Sequence, residues 1–193
     1  MKIIELPCKD EDIRSLRTGD IFSLSGLLVT GRDEVYHRIV EERVTPPVDL
    51  NGMAIYHAGP IVKEKPDGGY EIVAIGPTSS VRMEKWAAEF IQKTGVKIMI
   101  GKGGMGEKTA SACRKYGAIH CVYPGGCAVL GASQIEKIED CMWKEFGMAE
   151  SMWVMKTGGF GPLIVSIDTQ GNNLFRENSL HYNRISQNCG NCL

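Results

Sequence analysis

Short apolar runs and segments of helical spacing alternate along the first part of the chain. The run 21–29 is strand-like and stops at Gly31, and the segment 33–43 then has the spacing of an amphipathic helix. Residues 52–62 form a second apolar run, and a charged, glycine-rich turn separates it from the run 70–75. This pattern predicts a strand, a helix and then a β-hairpin.

From residue 76 onward, glycine loops separate short strands from helices. Apolar residues spaced three and four apart predict one helix that begins after residue 80 and another over 107–116. Short apolar runs predict further strands over 96–100, 118–123, 152–156, 162–167 and 173–175. The order is β-rich, then strand–loop–helix repeated, then β-rich again. It predicts an α/β fold with a mixed sheet and not a purely doubly wound one.

Length and composition describe a folded chain with ordinary surface chemistry. The 193 residues suit a single domain, which we place at 1–185, followed by a flexible C-terminal tail over 186–193. A hydrophobic fraction of 43% and a charged fraction of 23% exclude a disordered chain. The formal net charge of −1 provides no electrostatic basis for wrapping nucleic acid.

Neither a membrane span nor an export signal is indicated by the pattern. No apolar run approaches the roughly 20 residues that cross a bilayer. The first residues, 1–7, lack the apolar core of a signal peptide. We therefore expect a cytoplasmic protein without nucleic-acid or membrane partners.

The chain has seven cysteines, which we interpret as reduced thiols because their number is odd and no export signal is present. Cys113, Cys121 and Cys127 lack the tight spacing of a zinc or iron–sulfur run, so no metal site is predicted. Cys189 and Cys192 form a CxxC that could bind a metal or react. Since the chain has no second CxxC, a frayed terminus is the better interpretation.

Glycine-rich turns that lead into helices carry the candidate binding residues. Free backbone N–H groups and the positive end of the helix dipole favour anions at such places. An arginine offers two parallel hydrogen bonds to a carboxylate or phosphate, and a lysine adds a point charge. The turns are 31–33 with Arg32, 76–82 with Arg82, and 101–104 with Lys102. If they converge in the fold, they form a pocket for a small polyanion.

Simpler interpretations stay open for each of these elements. The hydroxyls at 78–80 could cap a helix, and Arg32 could pair with a surface carboxylate. Arg82 falls in a first helical turn, where the dipole disfavours a cation, so its position requires an anionic partner. The loop around Lys102 lacks the GxxxxGK[ST] spacing of an ATPase. His37 could face the Arg32 turn or be a structural histidine.

Several short motifs follow one another in an order known from one family. They are Leu24-Ser25-Gly26, Gly31-Arg32-Asp33, His37-Arg38, Tyr56-His57-Ala58-Gly59-Pro60, Gly76-Pro77-Thr78-Ser79-Ser80-Val81-Arg82-Met83, Gly101-Lys102-Gly103, Tyr123-Pro124-Gly125-Gly126-Cys127-Ala128 and the stretch 143–153. Together they resemble the β subunit of two-subunit, class I, iron–sulfur-dependent fumarases, which corresponds to the C-terminal domain of the single-chain relatives. The β subunit of L(+)-tartrate dehydratase belongs to the same superfamily and shares most of these motifs.

The resemblance implies a swivelling β/β/α domain and one half of a hydro-lyase that interconverts fumarate and (S)-malate. An α subunit would carry a [4Fe–4S] cluster on its own cysteines, in an α2β2 assembly, and this chain would close the active site. Carried over by motif, Arg32, Arg82 and Lys102 would bind the substrate carboxylates. Thr78 and Ser79 would lie at the reacting carbon, with Thr78 the candidate proton-transfer residue. Ser79 stands where the commonest motif has a second threonine, and it keeps the hydroxyl.

Three hypotheses follow from these observations. The first is the β subunit of a fumarase-type hydro-lyase, with L(+)-tartrate dehydratase as the alternative within that class. The second is an anion-binding or nucleotide-binding module that binds its ligand without a partner. The third is an autonomous metal or redox protein that uses Cys189 and Cys192.

Overall fold

The computed structural model of the chain describes residues 1–66 and 68–190, with 183–190 as backbone only. The strands are β1 (Lys2–Glu5), β2 (Ile21–Thr30), β3 (Ala54–Tyr56), β4 (Ile61–Glu64), β5 (Tyr70–Ala74), β6 (Ile98–Gly101), β7 (Ile119–Val122), β8 (Ile135–Met142) and β9 (Met152–Ile167). The helices are α1 (Asp10–Arg14), α2 (Asp33–Val40), α3 (Glu84–Thr94), α4 (Glu107–Tyr116), α5 (Ala128–Ser133) and α6 (Leu174–Gly190). Short 3-10 helices span Ser80–Met83 and Lys144–Phe146.

Most strands belong to one 7-stranded sheet with the order β1-β2-β3-β6-β7-β9-β8. The pairs from β1 through β7 are parallel, whereas β9 runs antiparallel to β2, β7 and β8. Because β9 pairs with β2 as well as with β7, the sheet closes on itself in the manner of a barrel. The predicted α/β fold with a mixed sheet is confirmed.

Apolar side chains fill two cores, one on each face of the closed sheet. The inner core includes Leu28, Tyr56 and Phe160. The outer core packs α2, α3 and α4 against the sheet and includes Val29 and Phe90. Leu28 and Val29 are neighbours on β2, and they enter different cores because successive strand residues point to opposite faces.

Several predicted elements coincide with observed ones. The runs 21–29, 96–100 and 118–123 correspond to β2, β6 and β7, and the helix predicted over 107–116 is α4. Helix α4 ends at Gly117, which adopts a left-handed conformation with φ +67°. Glycine reaches this conformation without steric cost, which explains the sharp end of the helix.

The run 52–62 is not one strand, and this prediction was wrong. It divides into β3, in the main sheet, and β4, which pairs only with β5 in a separate two-stranded sheet. Between them Ala58 forms an isolated bridge with Pro77, so the backbone of this stretch pairs with the later turn and not with a continuing strand. The hairpin with 70–75 is confirmed for the second half of the run only.

The C-terminal third contains longer strands than predicted. Residues 152–156 and 162–167 belong to a single strand, β9, which continues through the glycine- and proline-rich stretch 158–162. Its register against β2 shifts between Phe22 and Gly26, so bulges absorb the residues that resemble a turn. Strands β1 and β8 had no sequence prediction at all.

The prediction of a short strand at 173–175 is also wrong, because helix α6 begins there. Asn173 makes one isolated bridge with Ile167, but its Oδ1 accepts hydrogen bonds from the N–H groups of Phe175 and Arg176. These contacts cap helix α6. Because α6 runs to Gly190, part of the predicted tail 186–193 is helical. Residues 191–193, with Cys192, lie outside the described residues, and the flexibility of the tail stays a prediction.

Within the described ranges, no helix is both long enough and apolar enough to cross a membrane.

Candidate functional site

Two of the candidate turns, 31–33 and 101–104, and the loop at His57 lie at one edge of the sheet. Strands β2, β3 and β6 are parallel neighbours, and their carboxyl ends lead directly to Arg32, His57 and Lys102. Ligands in α/β folds bind outside the carboxyl ends of such strands. The order of the strands therefore brings together loops that are far apart in the sequence.

Backbone hydrogen bonds fasten the turn 78–80 between these loops. The Thr78 N–H donates to the His57 carbonyl at 2.6 Å, and the Lys102 N–H donates to the Thr78 carbonyl at 3.0 Å. The Ser80 N–H donates to the Lys102 carbonyl at 3.0 Å, and Ser79 and Lys102 form a parallel bridge. Thr78, Ser79 and Lys102 are thus held next to each other by main-chain contacts.

Arg82 has the anionic partner that its position in a first helical turn requires. Its Nε donates to Asp33 Oδ1 at 3.1 Å, and its Nη2 lies 2.8 Å from Asp33 Oδ2 in an ion pair, although that oxygen has no hydrogen-bond partner among the described residues. The Arg82 Nη1 lies 3.4 Å from Thr78 Oγ1. The Arg82 side chain is 47% exposed, so a ligand can reach it from solvent. These contacts bring the 31–33 and 76–82 turns next to each other.

Arg32 pairs with a distant carboxylate and not with its sequence neighbours. Its Nη2 lies 3.0 Å from Glu150 Oε1, and the other oxygen of Glu150 accepts the N–H of Glu34 at 3.3 Å. Glu150 therefore occupies the start of α2, where the sequence predicts an anion site. The Arg32 Nε is buried and has no hydrogen-bond partner among the described residues. An incoming carboxylate must share Arg32 with Glu150 or displace it.

An internal carboxylate likewise fills the start of α4. Glu84, the first residue of α3, accepts the Gly106 N–H at 2.7 Å and the Thr109 N–H at 3.3 Å, and the Thr109 hydroxyl donates to it at 2.6 Å. A Cβ on Gly106 would lie 2.7 Å from Glu84 Oε1, so the glycine makes room for the carboxylate. These N–H groups are already bonded to Glu84, so anion binding by this loop depends on the Lys102 side chain.

We expect Glu84→Ala to lower the free energy of unfolding by about 2 kcal/mol, because it leaves the N–H groups of Gly106 and Thr109 unpaired. Denaturant unfolding of the purified chain measures this loss. Glu89→Ala is the matched control, since Glu89 lies on the same helix and makes an exposed ion pair with Lys93. Equal stabilities of the two variants would contradict the capping role.

Lys102 is the unpaired cation of the site. Its side chain is exposed, and its Cδ would lie 3.8 Å from a Cβ built on Gly125. In the part of the chain that the structure describes, the Lys102 ammonium has neither an ion pair nor a side-chain hydrogen bond. A free ammonium on a residue whose backbone is bonded to Thr78 suits the binding of a carboxylate.

His37 does not face these loops. Its Nδ1 lies 3.2 Å from Glu42 Oε1, and its ring packs edge-on against Trp86 at a centroid distance of 6.2 Å. It is a surface residue of α2.

Two groups at the site had no prediction from the sequence. Glu150 is the first, and its pairing with Arg32 left no local signal because the two residues are far apart in the chain. The second is a set of fully buried polar residues beneath the turn 78–80: Tyr36, His57, Ser80, His120 and Ser166. His57 lies inside the motif 56–60 and Ser80 inside the motif 76–83, and this was the signal that the sequence offered for the two residues.

The described cysteines do not fit an iron–sulfur ligand set. Cys8, Cys113, Cys121 and Cys141 are free and buried, and Cys127 is free and half-buried. Burial raises the pKa of the Cys8 thiol to about 11 and also raises those of the other buried thiols, whereas cluster ligands are thiolates. Among the described residues, no group of three or more His, Cys, Asp or Glu could hold a metal ion.

Comparison with known proteins gives consistent matches along nearly the whole chain. The model of the family described as Fumarase C-terminus matches residues 2–178. The L(+)-tartrate dehydratase subunit beta of Escherichia coli (strain K12) is 53% identical over 177 residues, which are 92% of this chain and 88% of that protein. A putative L(+)-tartrate dehydratase subunit beta of Methanocaldococcus jannaschii is 38% identical over 185 residues, 93% of this chain and 94% of that protein. A putative fumarate hydratase class I of Geobacillus stearothermophilus is 36% identical over 174 residues, 90% of this chain but 33% of that longer protein.

Proposed function

Because the chain belongs to the Fumarase C-terminus family, we propose that it is the β subunit of a hydro-lyase that interconverts fumarate and (S)-malate in a site shared with an α subunit. L(+)-tartrate is the second candidate substrate, and the 53% identity to an L(+)-tartrate dehydratase subunit favours it. Both reactions move water across the bond between two carbons that each carry a carboxylate. The observation that supports either one is the convergence of Arg82, Thr78 and Lys102 at one edge of the sheet.

The cations of this edge bind and orient the dicarboxylate. Asp33 engages the Nε and Nη2 side of Arg82, which leaves the Nη1 side, next to Thr78, for a substrate carboxylate. Lys102 supplies a second, unpaired charge, and Arg32 supplies a third once Glu150 shares it. Preorganised cations of this kind stabilise the extra negative charge that develops on a carboxylate as the neighbouring carbon loses its proton.

We assign to the Thr78 hydroxyl the transfer of the proton at that carbon. A guanidinium can only donate, so the Thr78 Oγ1 accepts from Arg82 and the hydroxyl hydrogen stays free for another partner. A hydroxyl is a weak base, but a cation at this distance favours its ionised form. Ser79, the next residue in the chain, carries a second hydroxyl and forms the backbone bridge to Lys102.

We place the proposed [4Fe–4S] cluster on the α subunit. This placement is supported by the described cysteines of this chain, which form no ligand set for it. The α2β2 assembly and the cytoplasmic location stay predictions.

Reconstitution tests the proposed function. We expect the purified chain alone to be inactive, and to hydrate fumarate or dehydrate L(+)-tartrate once the α subunit of its own organism is added under anaerobic conditions. The measurements are co-purification of the two chains and assays with both substrates.

The possible outcomes separate the hypotheses. Activity with L(+)-tartrate alone keeps the mechanism and assigns the other substrate. Failure to form a complex, together with inactivity towards both substrates, would contradict the subunit proposal. Ligand binding by the isolated chain would then favour an anion-binding module.

A further inference from the structure

A chain of buried polar side chains runs beneath the candidate site. Tyr36 lies on α2, His57 follows β3, Ser80 begins a 3-10 helix, His120 lies on β7 and Ser166 lies on β9, and each is fully buried. Polar groups so far from water persist only when they hydrogen-bond one another. We call this set the buried polar chain.

The members are in contact one after another. The Tyr36 hydroxyl lies 2.8 Å from His57 Nε2, and His57 Nδ1 lies 2.9 Å from Ser80 Oγ. The same Ser80 oxygen lies 2.9 Å from His120 Nε2, and His120 Nδ1 lies 2.5 Å from Ser166 Oγ. The Ser80 hydroxyl is thus clamped between two imidazoles.

The two ends of the buried polar chain set the direction of every hydrogen bond in it. Ser166 donates to the His120 carbonyl at 3.2 Å, so its oxygen must accept from His120 Nδ1. His120 Nε2 then accepts from Ser80, Ser80 accepts from His57 Nδ1, and His57 Nε2 accepts from Tyr36. If these hydrogen bonds ran the other way, His57 Nε2 would donate to the Tyr36 oxygen. The Tyr36 hydroxyl hydrogen would then have no acceptor among the residues described. Both imidazoles therefore carry their proton on Nδ1.

The buried polar chain is also uncharged. Burial lowers the pKa of His120 to about 3 and lowers that of His57 well below its usual range. Burial raises the pKa of the Tyr36 hydroxyl. Because the buried polar chain carries no charge, it acts on the site through the geometry of its hydrogen bonds.

The buried polar chain is joined directly to the backbone of the site. The His57 carbonyl accepts the Thr78 N–H, while the imidazole of the same residue holds the Ser80 hydroxyl. The Ser80 N–H donates to Lys102, and Gly101 passes so close that a Cβ there would lie 2.0 Å from Ser80 Oγ. Ser80 therefore holds the Ser79–Lys102 bridge on both sides. It does so through the His57 imidazole on the side of Thr78 and through its own N–H on the side of Lys102.

We propose that Ser80, clamped between His57 and His120, is a positioning residue that sets the Thr78 hydroxyl and the Lys102 backbone relative to Arg82. Ser80 touches no substrate, because it is fully buried. The kinetic consequence rests on the proposed function, whereas the hydrogen-bond pattern can be measured on the isolated chain.

Imidazole nitrogen NMR of the isolated chain tests the pattern first. We expect two neutral rings protonated at Nδ1 in the wild type, and we expect both to change in Ser80→Ala, along with the Thr78 and Lys102 amides. Ser23→Ala is the matched control, because Ser23 is a buried serine whose hydroxyl has one hydrogen-bond partner among the described residues, Met1 Sδ at 3.7 Å. Protonation of either ring at Nε2, or unchanged Thr78 and Lys102 amides in Ser80→Ala, would overturn the proposal.

Kinetics of the reconstituted enzyme tests the consequence. We expect Ser80→Ala to lower kcat about 100-fold while KM changes less than about threefold, since a small displacement of a reacting group costs this much. A lower melting temperature with unchanged kcat would show a merely structural role and would overturn the proposal. Where Ser80→Ala does not fold, Ser166→Ala replaces it, with an expected loss of about tenfold in kcat because His120 loses its far partner. If the wild type is inactive with every substrate, the proposed function fails and the NMR result alone decides this inference.

Discussion

Arg82→Ala is expected to lower kcat/KM of the reconstituted enzyme by about 10³-fold. The change removes the cation that contacts the Thr78 hydroxyl and to which we assign the substrate carboxylate, and preorganised charges of this kind are worth roughly 10²–10³-fold each. It also leaves Asp33 without its partner, and the uncompensated carboxylate then repels a dianionic substrate. Steady-state assays with fumarate and L(+)-tartrate measure the effect.

Two further variants sharpen the interpretation of that result. Arg82→Lys restores the charge without the guanidinium geometry, so we expect only partial recovery. Arg14→Ala is the control, because Arg14 is an exposed arginine on α1 that also pairs with an aspartate, Asp10. A loss below about tenfold for Arg82→Ala would contradict a role in the charge stabilisation of the transition state.

Thr78→Ala is expected to lower kcat about 10³-fold while KM changes little. The substitution removes the hydroxyl that we assign to proton transfer, and general acid–base groups contribute about 10²–10⁴-fold. The backbone contacts of Thr78 with His57 and Lys102 do not need the side chain, so the turn itself is retained. The kcat and KM of the reconstituted enzyme are the quantities to compare.

The serine variant separates the hydroxyl from the rest of the side chain. Thr78→Ser keeps the oxygen next to Arg82 and should retain most of the activity. Thr45→Ala, at an exposed threonine outside the site, should have no effect. If Thr78→Ser is as slow as Thr78→Ala, the hydroxyl is not the proton-transfer group.

Local signals in the sequence identified the elements whose structure depends on nearby residues. Helix α4 has strong helical spacing and a glycine at its end, and it was predicted at its observed bounds. The need of Arg82 for an anion followed from the dipole of its helical turn alone. Strand β9 shows the opposite case, because its glycine- and proline-rich middle resembles a turn. Its pairing with β2 along its length, and with β8 and β7 on either side of that middle, keeps it extended.

The motifs and their order determined the family, the class of fold and the set of polar residues from which the site is built. The tertiary structure decided which of them meet: Asp33 with Arg82, Glu150 with Arg32, and Ser80 with two histidines. The physical reason is that helical spacing and turn chemistry are properties of neighbouring residues, whereas ion pairs and buried hydrogen bonds join residues that only strand order and sheet closure bring together.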